Sequence, residues 1–194
     1  SGIRLFSFSQ EQDGEAQILE KFFRIFQKHN PTLVSWNGSG FDVPVLTYRA
    51  LKHGLSAPRF YDQGELDRAR RFDNYLSRYH SRHTDLMDVL SLYQGGRSQK
   101  MDDVAQLLGL PGKAGQSGHQ VSQMVRDGQW AALRQYCESD VLNTWLIFLR
   151  WQLLRGGLTA EAHQQWVAQT QDHLQGHPTQ QEFLRRWLSL AEEN

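Results

Sequence analysis

Two stretches carry residues whose types and spacing could do chemistry. The first is Ser35-Trp36-Asn37-Gly38-Ser39-Gly40-Phe41-Asp42. Leu33 and Val34 read as the end of a short buried strand, and two glycines in Asn37-Gly38-Ser39-Gly40 suit a turn that needs unusual backbone angles. From Asp42 onward, Val43, Leu46, Arg49, Ala50 and His53 recur at helical spacing. A strand, a turn and a helix in that order put the Asp42 carboxylate at a sheet edge, facing solvent. It caps the helix there, or it is free to act. The second stretch is Tyr136-Cys137-Glu138-Ser139-Asp140, inside a long helical pattern from Gln129 to about Arg150. Tyr136 and Asp140 are four residues apart, so a phenol and a carboxylate share one helix face.

Other candidates weigh less. Asp85 and Asp88, in His83-Thr84-Asp85-Leu86-Met87-Asp88, invite a metal reading. Asp85 is better placed to cap the helix that follows a short strand, and Asp88 falls on the ordinary surface. Arg68, Arg70, Arg71, Arg78 and Arg82 interleave with Phe72, Tyr75, Tyr79 and His80. That mixture suits a single-stranded nucleic acid, with arginines on phosphates and rings on bases, and equally suits a solvated surface with a few core aromatics. Gly109-Leu110-Pro111-Gly112-Lys113-Ala114 looks superficially like a phosphate loop. The glycine spacing is too short and Ala114 lacks the hydroxyl that would bind magnesium, so a nucleoside triphosphate is excluded as partner. Lys113 could still meet a substrate phosphate as a point charge.

The elements that must position these residues follow in order. Ile3, Leu5 and Phe8 suggest a strand. Ile18, Leu19, Phe22, Phe23 and Phe26 form a helical face that Asn30-Pro31 ends. A strand over 32–36 leads into the turn, and the helix from Asp42 runs to about His53, where Gly54 stops it. After a looser region over 56–82 come the short strand and helix around Asp85, and a short helix over 100–110. Helices over 117–127 and 129–150 follow, the second with a mostly buried stripe of Leu133, Tyr136, Cys137, Val141, Thr144, Trp145, Phe148 and Leu149. Two further amphipathic helices, 159–175 and 179–192, are expected to pack on the domain without chemistry.

At 194 residues the chain suits one sizeable core. With 21 basic and 21 acidic residues it carries no global basic field, which does not exclude a nuclease that holds carboxylates beside a polyanion. The single Cys137 forms no internal disulfide, and there is no long apolar run and no visible signal peptide. These features predict a soluble, cytoplasmic protein with no membrane partner. No sequence feature names a protein partner.

Asn-x-x-x-Phe-Asp, followed about a hundred residues later by Tyr-x-x-x-Asp, resembles the second and third motifs of the DEDD exonucleases, and the tyrosine resembles their DEDDy branch. The agreement extends through Asp42-Val43-Pro44-Val45-Leu46, the His83 to Asp88 segment, Leu110-Pro111-Gly112-Lys113 and Tyr136 to Thr144. In all, it covers about Ile3 to Leu158. The chain is similar to predicted bacterial 3'-5' exonucleases related to the proofreading domain of family B DNA polymerases. The resemblance implies an α/β, ribonuclease-H-like exonuclease fold, a mixed sheet flanked by helices with its first strands missing from this chain. It also implies an exonuclease-like domain over 1–158 and a helical extension over 159–194.

Phosphodiester hydrolysis needs a nucleophilic water, charge neutralisation at phosphorus and help for the departing 3' oxygen, which two magnesium or manganese ions about 4 Å apart can supply. Hard ions of this kind want carboxylate oxygens. By resemblance, Asp42 holds one ion, Asp140 helps hold the ion that activates water, and Tyr136 orients that water. Phe41 wedges against the terminal base of a single-stranded DNA or RNA 3' end, and Asn37 braces the turn. Arg78, Arg82 and Lys113 are the expected contacts to the strand. The implied activity is 3'-5' hydrolysis releasing nucleoside monophosphates. The alternative is a nucleic-acid-binding or protein-interaction module that keeps the fold without catalysis. The family's first Asp-x-Glu would precede Ile3, so the chain is expected to be a piece of a longer protein and inactive by itself. Asp13-Gly14-Glu15 is an Asp-x-Glu in a turn before a helix, which is the wrong context for a metal pair.

Overall fold

The computed structural model describes residues 2–113 and 118–192. The chain divides into two units, Phe8–Ser98 and Ser1–Ser7 with Gln99–Asn194.

In the first unit, helix α1 (Glu15–His29) buries Leu19, Phe23 and Phe26, as the spacing predicts. Asn30 ends it in the left-handed conformation and donates its N–H to the Phe26 carbonyl. Strand β1 (Leu33–Ser35) pairs in parallel with β2 (His83–Asp85), with Leu33 opposite His83 and Ser35 opposite Asp85. Helix α2 (Asp42–Lys52) follows β1, and the one-turn α3 (Pro58–Tyr61) covers the core. That core is aromatic: Phe26 meets Phe60 and Tyr75 edge-on, Phe60 stacks on Tyr75, and Ala50 closes the cluster. Helix α4 (Leu86–Leu90) starts directly from β2.

The second unit is helical: α5 (Met101–Leu107), α6 (Gly118–Arg126), α7 (Trp130–Leu154), α8 (Ala160–Gln175) and α9 (Gln181–Glu192). Helices α5, α6 and α8 pack on α7, and α9 packs on α8. The Trp145 indole on α7 donates to Thr170 on α8 at 3.0 Å and meets Trp166 edge-on. No described helix is long and apolar enough to cross a membrane.

Three expectations need correction. Residues 2–9 form no strand, and the sheet among the described residues is two parallel strands rather than a mixed one. Apolar residues alone do not make a strand without a partner to complete its backbone hydrogen bonds, and β1 and β2 pair with each other rather than with this segment. The buried face of α7 keeps Tyr136 and Leu149 of the expected stripe, with Leu133, Thr144, Trp145 and Phe148 half-buried, but it loses two members and gains others. Cys137 is exposed and Val141 is 57% exposed, whereas Glu138, Leu142, Asn143 and Leu146 are buried. A buried glutamate cannot be read from hydropathy. Glu138 is tolerated because Ser7, Thr179 and Gln180 all donate to it. These bonds outweigh the effect of burial and hold its pKa below the usual carboxylate value. Finally, Ser117 and Ala114, which belong to the expected helix and loop, lie outside the described residues.

Candidate active site

The second unit places Tyr136, Asp140 and Lys113 together. Lys113 Nζ lies 3.0 Å from the Tyr136 hydroxyl, 3.7 Å from Asp140 Oδ2 and 5.5 Å from the Tyr136 ring centre. Helix α7 sets the first two residues one turn apart, and the loop after α5 brings the lysine in. That loop is built for the purpose. The buried Asn143 side chain accepts the Gly112 N–H at 3.2 Å and donates to the Gly112 carbonyl at 3.0 Å. Asp102 Oδ1 accepts the Lys113 N–H at 2.7 Å. Gly112 sits at φ 61°, and a Cβ there would press on Asp102 Oδ1, so the position favours glycine.

Asp140 Oδ1 is buried and has no hydrogen-bond partner among the described residues. Burial pushes the Asp140 carboxyl above its usual range, and the Lys113 charge and the Tyr136 hydroxyl only partly restore it. A buried carboxylate oxygen normally finds a donor. One left without a donor is a vacant acceptor for a hard cation.

In the first unit, Asp42 is the first residue of α2 and Phe41 is its cap position, so Asp42 is not the N-cap. Asp42 is exposed and makes no ion pair among the described residues. Its carboxyl also titrates above the usual value, through the desolvating protein around it and repulsion from Asp85. Phe41 beside it is 63% exposed.

The turn before it works differently from expectation. Asn37, not a glycine, takes the left-handed conformation at φ 59°. Gly38 and Gly40 are needed because a Cβ on either would strike the side chain of Ser35 or Asn37. The residue that sequence reasoning undervalued is Asp85. It caps α4 through Met87 N–H at 3.2 Å, as expected, but it also accepts the Asn37 N–H at 2.8 Å and the Ser39 N–H at 2.9 Å. One buried carboxylate on β2 therefore fixes the turn that carries Phe41 and Asp42. The only sequence signal was an aspartate closing a strand. His83, also on β2, lies 2.8 Å from Ser35 Oγ, and burial drives its pKa down, so it brings no charge to the turn.

The remaining candidates are partnered. Arg78 pairs with Asp88 at 2.8 Å. Arg82 pairs with Asp73 at 2.9 Å and donates to the Asn30 carbonyl at the end of α1. Asp13 and Glu15 are occupied elsewhere: Asp13 pairs with Lys21 at 2.5 Å, and Glu15 pairs with Arg49 and with His53 at 2.7 Å.

Among the described residues no group of three or more His, Cys, Asp or Glu side chains converges. Magnesium and manganese do not need one, because each is commonly held by one or two carboxylates and filled out by water and phosphate oxygens. An unpartnered Asp140 oxygen and an exposed, unpaired Asp42 fit such ions. A family model described as a predicted 3'-5' exonuclease related to the exonuclease domain of PolB matches residues 1–190. No curated protein and no solved structure matches the chain.

Proposed function

Because the chain belongs to the predicted 3'-5' exonucleases related to the exonuclease domain of PolB, we propose that the native protein hydrolyses phosphodiester bonds at single-stranded 3' ends with the help of magnesium or manganese ions. The products are nucleoside monophosphates. The observation that carries this reading is the buried, unpartnered Oδ1 of Asp140 beside the Tyr136–Lys113 pair.

Asp140 and Asp42 are the residues that would each hold a divalent ion. Bound there, such ions would lower the pKa of water and neutralise charge on the phosphate. The protein's own groups do the rest. The Tyr136 hydroxyl, steadied by Lys113 at 3.0 Å, is a fixed partner for the attacking water. The Lys113 ammonium adds positive charge where the phosphorane develops negative charge. Burial works against that charge, but the Tyr136 hydrogen bond and Asp140 outweigh it and keep the lysine protonated. Phe41, exposed next to Asp42, would press on the terminal base, and Asp85 holds the turn that carries it.

A 5'-labelled single-stranded oligonucleotide incubated with the native protein tests this. Magnesium or manganese should produce a ladder shortened from the 3' end together with free mononucleotides, and chelation should stop it. A metal-independent ladder, or cleavage only within the strand, would contradict the reading.

A further inference from the structure

We propose that Tyr79 and Tyr93 form a stacking platform for an unpaired nucleobase, with Arg78 as the cation beside it; this rests on the nucleic-acid substrate inferred above. Tyr79 is 72% exposed and Tyr93 37%. Their ring centres lie 5.1 Å apart at an interplanar angle of 58°. The Arg78 guanidinium lies 5.8 Å from the Tyr79 centre and 5.5 Å from that of Tyr93. Exposed aromatic faces with an arginine alongside are what unpaired bases stack on, while the arginine meets the neighbouring phosphate.

Two features separate this cluster from an incidental surface pair. Asp88 fixes both halves: its carboxylate takes Arg78 at 2.8 Å, and its backbone carbonyl takes the Tyr93 N–H at 2.7 Å. The chain also adopts the left-handed conformation twice in succession, at Leu92 (φ 53°) and Tyr93 (φ 62°), to bring the second ring there. Bulky residues avoid that region, and their surroundings must hold them in it. Four residues beyond Tyr93, Arg97 is exposed and makes no ion pair among the described residues. It offers a second phosphate contact on the same segment. Every base has a π-face, so the site selects single strands over duplex without reading sequence.

Fluorescence anisotropy in the presence of a chelator, with labelled oligothymidylate and an abasic strand of equal length, tests the platform. The native protein should bind the thymidylate strand about tenfold more tightly than the abasic one. Tyr79→Leu should abolish most of that preference and Tyr79→Phe should keep it. Tyr79 is too exposed for either change to open the core. Equal affinity of the native protein for both strands, or an undiminished preference in Tyr79→Leu, would overturn the stacking site. If hydrolysis of the oligothymidylate, assayed separately with magnesium, persisted alongside that result, the exonuclease reading would stand. Absence of both binding and hydrolysis would overturn the two together.

Discussion

Tyr136 and Lys113 hold each other beside Asp140, so each can be tested through the other. Tyr136→Phe removes the hydroxyl and keeps the ring in the core. Turnover should fall about 10- to 100-fold, because water is no longer fixed in line. Stability should drop by only about 1 kcal/mol, the worth of one hydrogen bond. Steady-state kinetics beside a urea midpoint separates the two effects, and unchanged turnover would assign the hydroxyl to packing alone. Gly112 is the residue that lets Lys113 reach the pair. Gly112→Ala should push the loop off Asp102 and lower stability by about 1–3 kcal/mol, since it adds both a collision and left-handed strain.

At the scale of elements, two ties matter. Asn143 joins α7 to the loop after α5, and Asn143→Ala would leave the Gly112 N–H and carbonyl buried without partners. A loss of about 2–3 kcal/mol in chemical denaturation is expected. The other tie joins α1 to α2 through Glu15, whose pKa is lowered to about 2 by its hydrogen bonds to Arg49 and His53. A lowered carboxylate pKa adds stability above the unfolded value near 4.5 and loses it as pH falls towards 2. Glu15→Gln should therefore lower the melting temperature at pH 7, and the difference from the native protein should fade through that acid window. Because Asp13 and Glu15 are spent on such pairs, Asp13→Asn with Glu15→Gln should leave metal-dependent hydrolysis unchanged.

The elements were legible wherever local chemistry decides them. The 3.6-residue pattern of Phe22, Phe23 and Phe26 gave α1, and Asn30-Pro31 gave its end. The existence of a turn before Asp42 and the four-residue offset of Tyr136 and Asp140 were equally plain, though not that Asn37 would be the left-handed residue. What escaped was non-local. Nothing near Asp85 says that it also braces Asn37 and Ser39, 48 and 46 residues away. The apolar spacing of Ile3, Leu5 and Phe8 suggests a strand, although the resemblance already implies that its neighbouring strands are missing, and residues 2–9 form none. Glu138 reads as surface until Ser7, Thr179 and Gln180 arrive from distant segments to satisfy it.

Across the whole molecule the formal charge is zero, so attraction to a polyanion must come from a few local cations. The logarithm of affinity for a single strand should fall with the logarithm of salt at a slope no steeper than about −3, since each neutralised phosphate contributes about −0.7. Arg78→Ala should flatten that slope by about 0.7. Arg82→Ala should cost stability as well, because Arg82 also ties Asp73 to the Asn30 carbonyl. A salt titration by anisotropy, paired with thermal melts, distinguishes the two arginines.

The most direct test of the account is Asp140→Asn in the native protein, with magnesium-dependent release of mononucleotides and the melting temperature measured side by side. Burial raises the Asp140 pKa, so its charge weakens the fold as pH rises through that value. The amide should therefore leave the melting temperature unchanged or higher at pH 7, while turnover falls about a thousandfold or more. A fall of less than about tenfold in a protein that melts normally would show that Asp140 does not bind the ion, and would contradict the account.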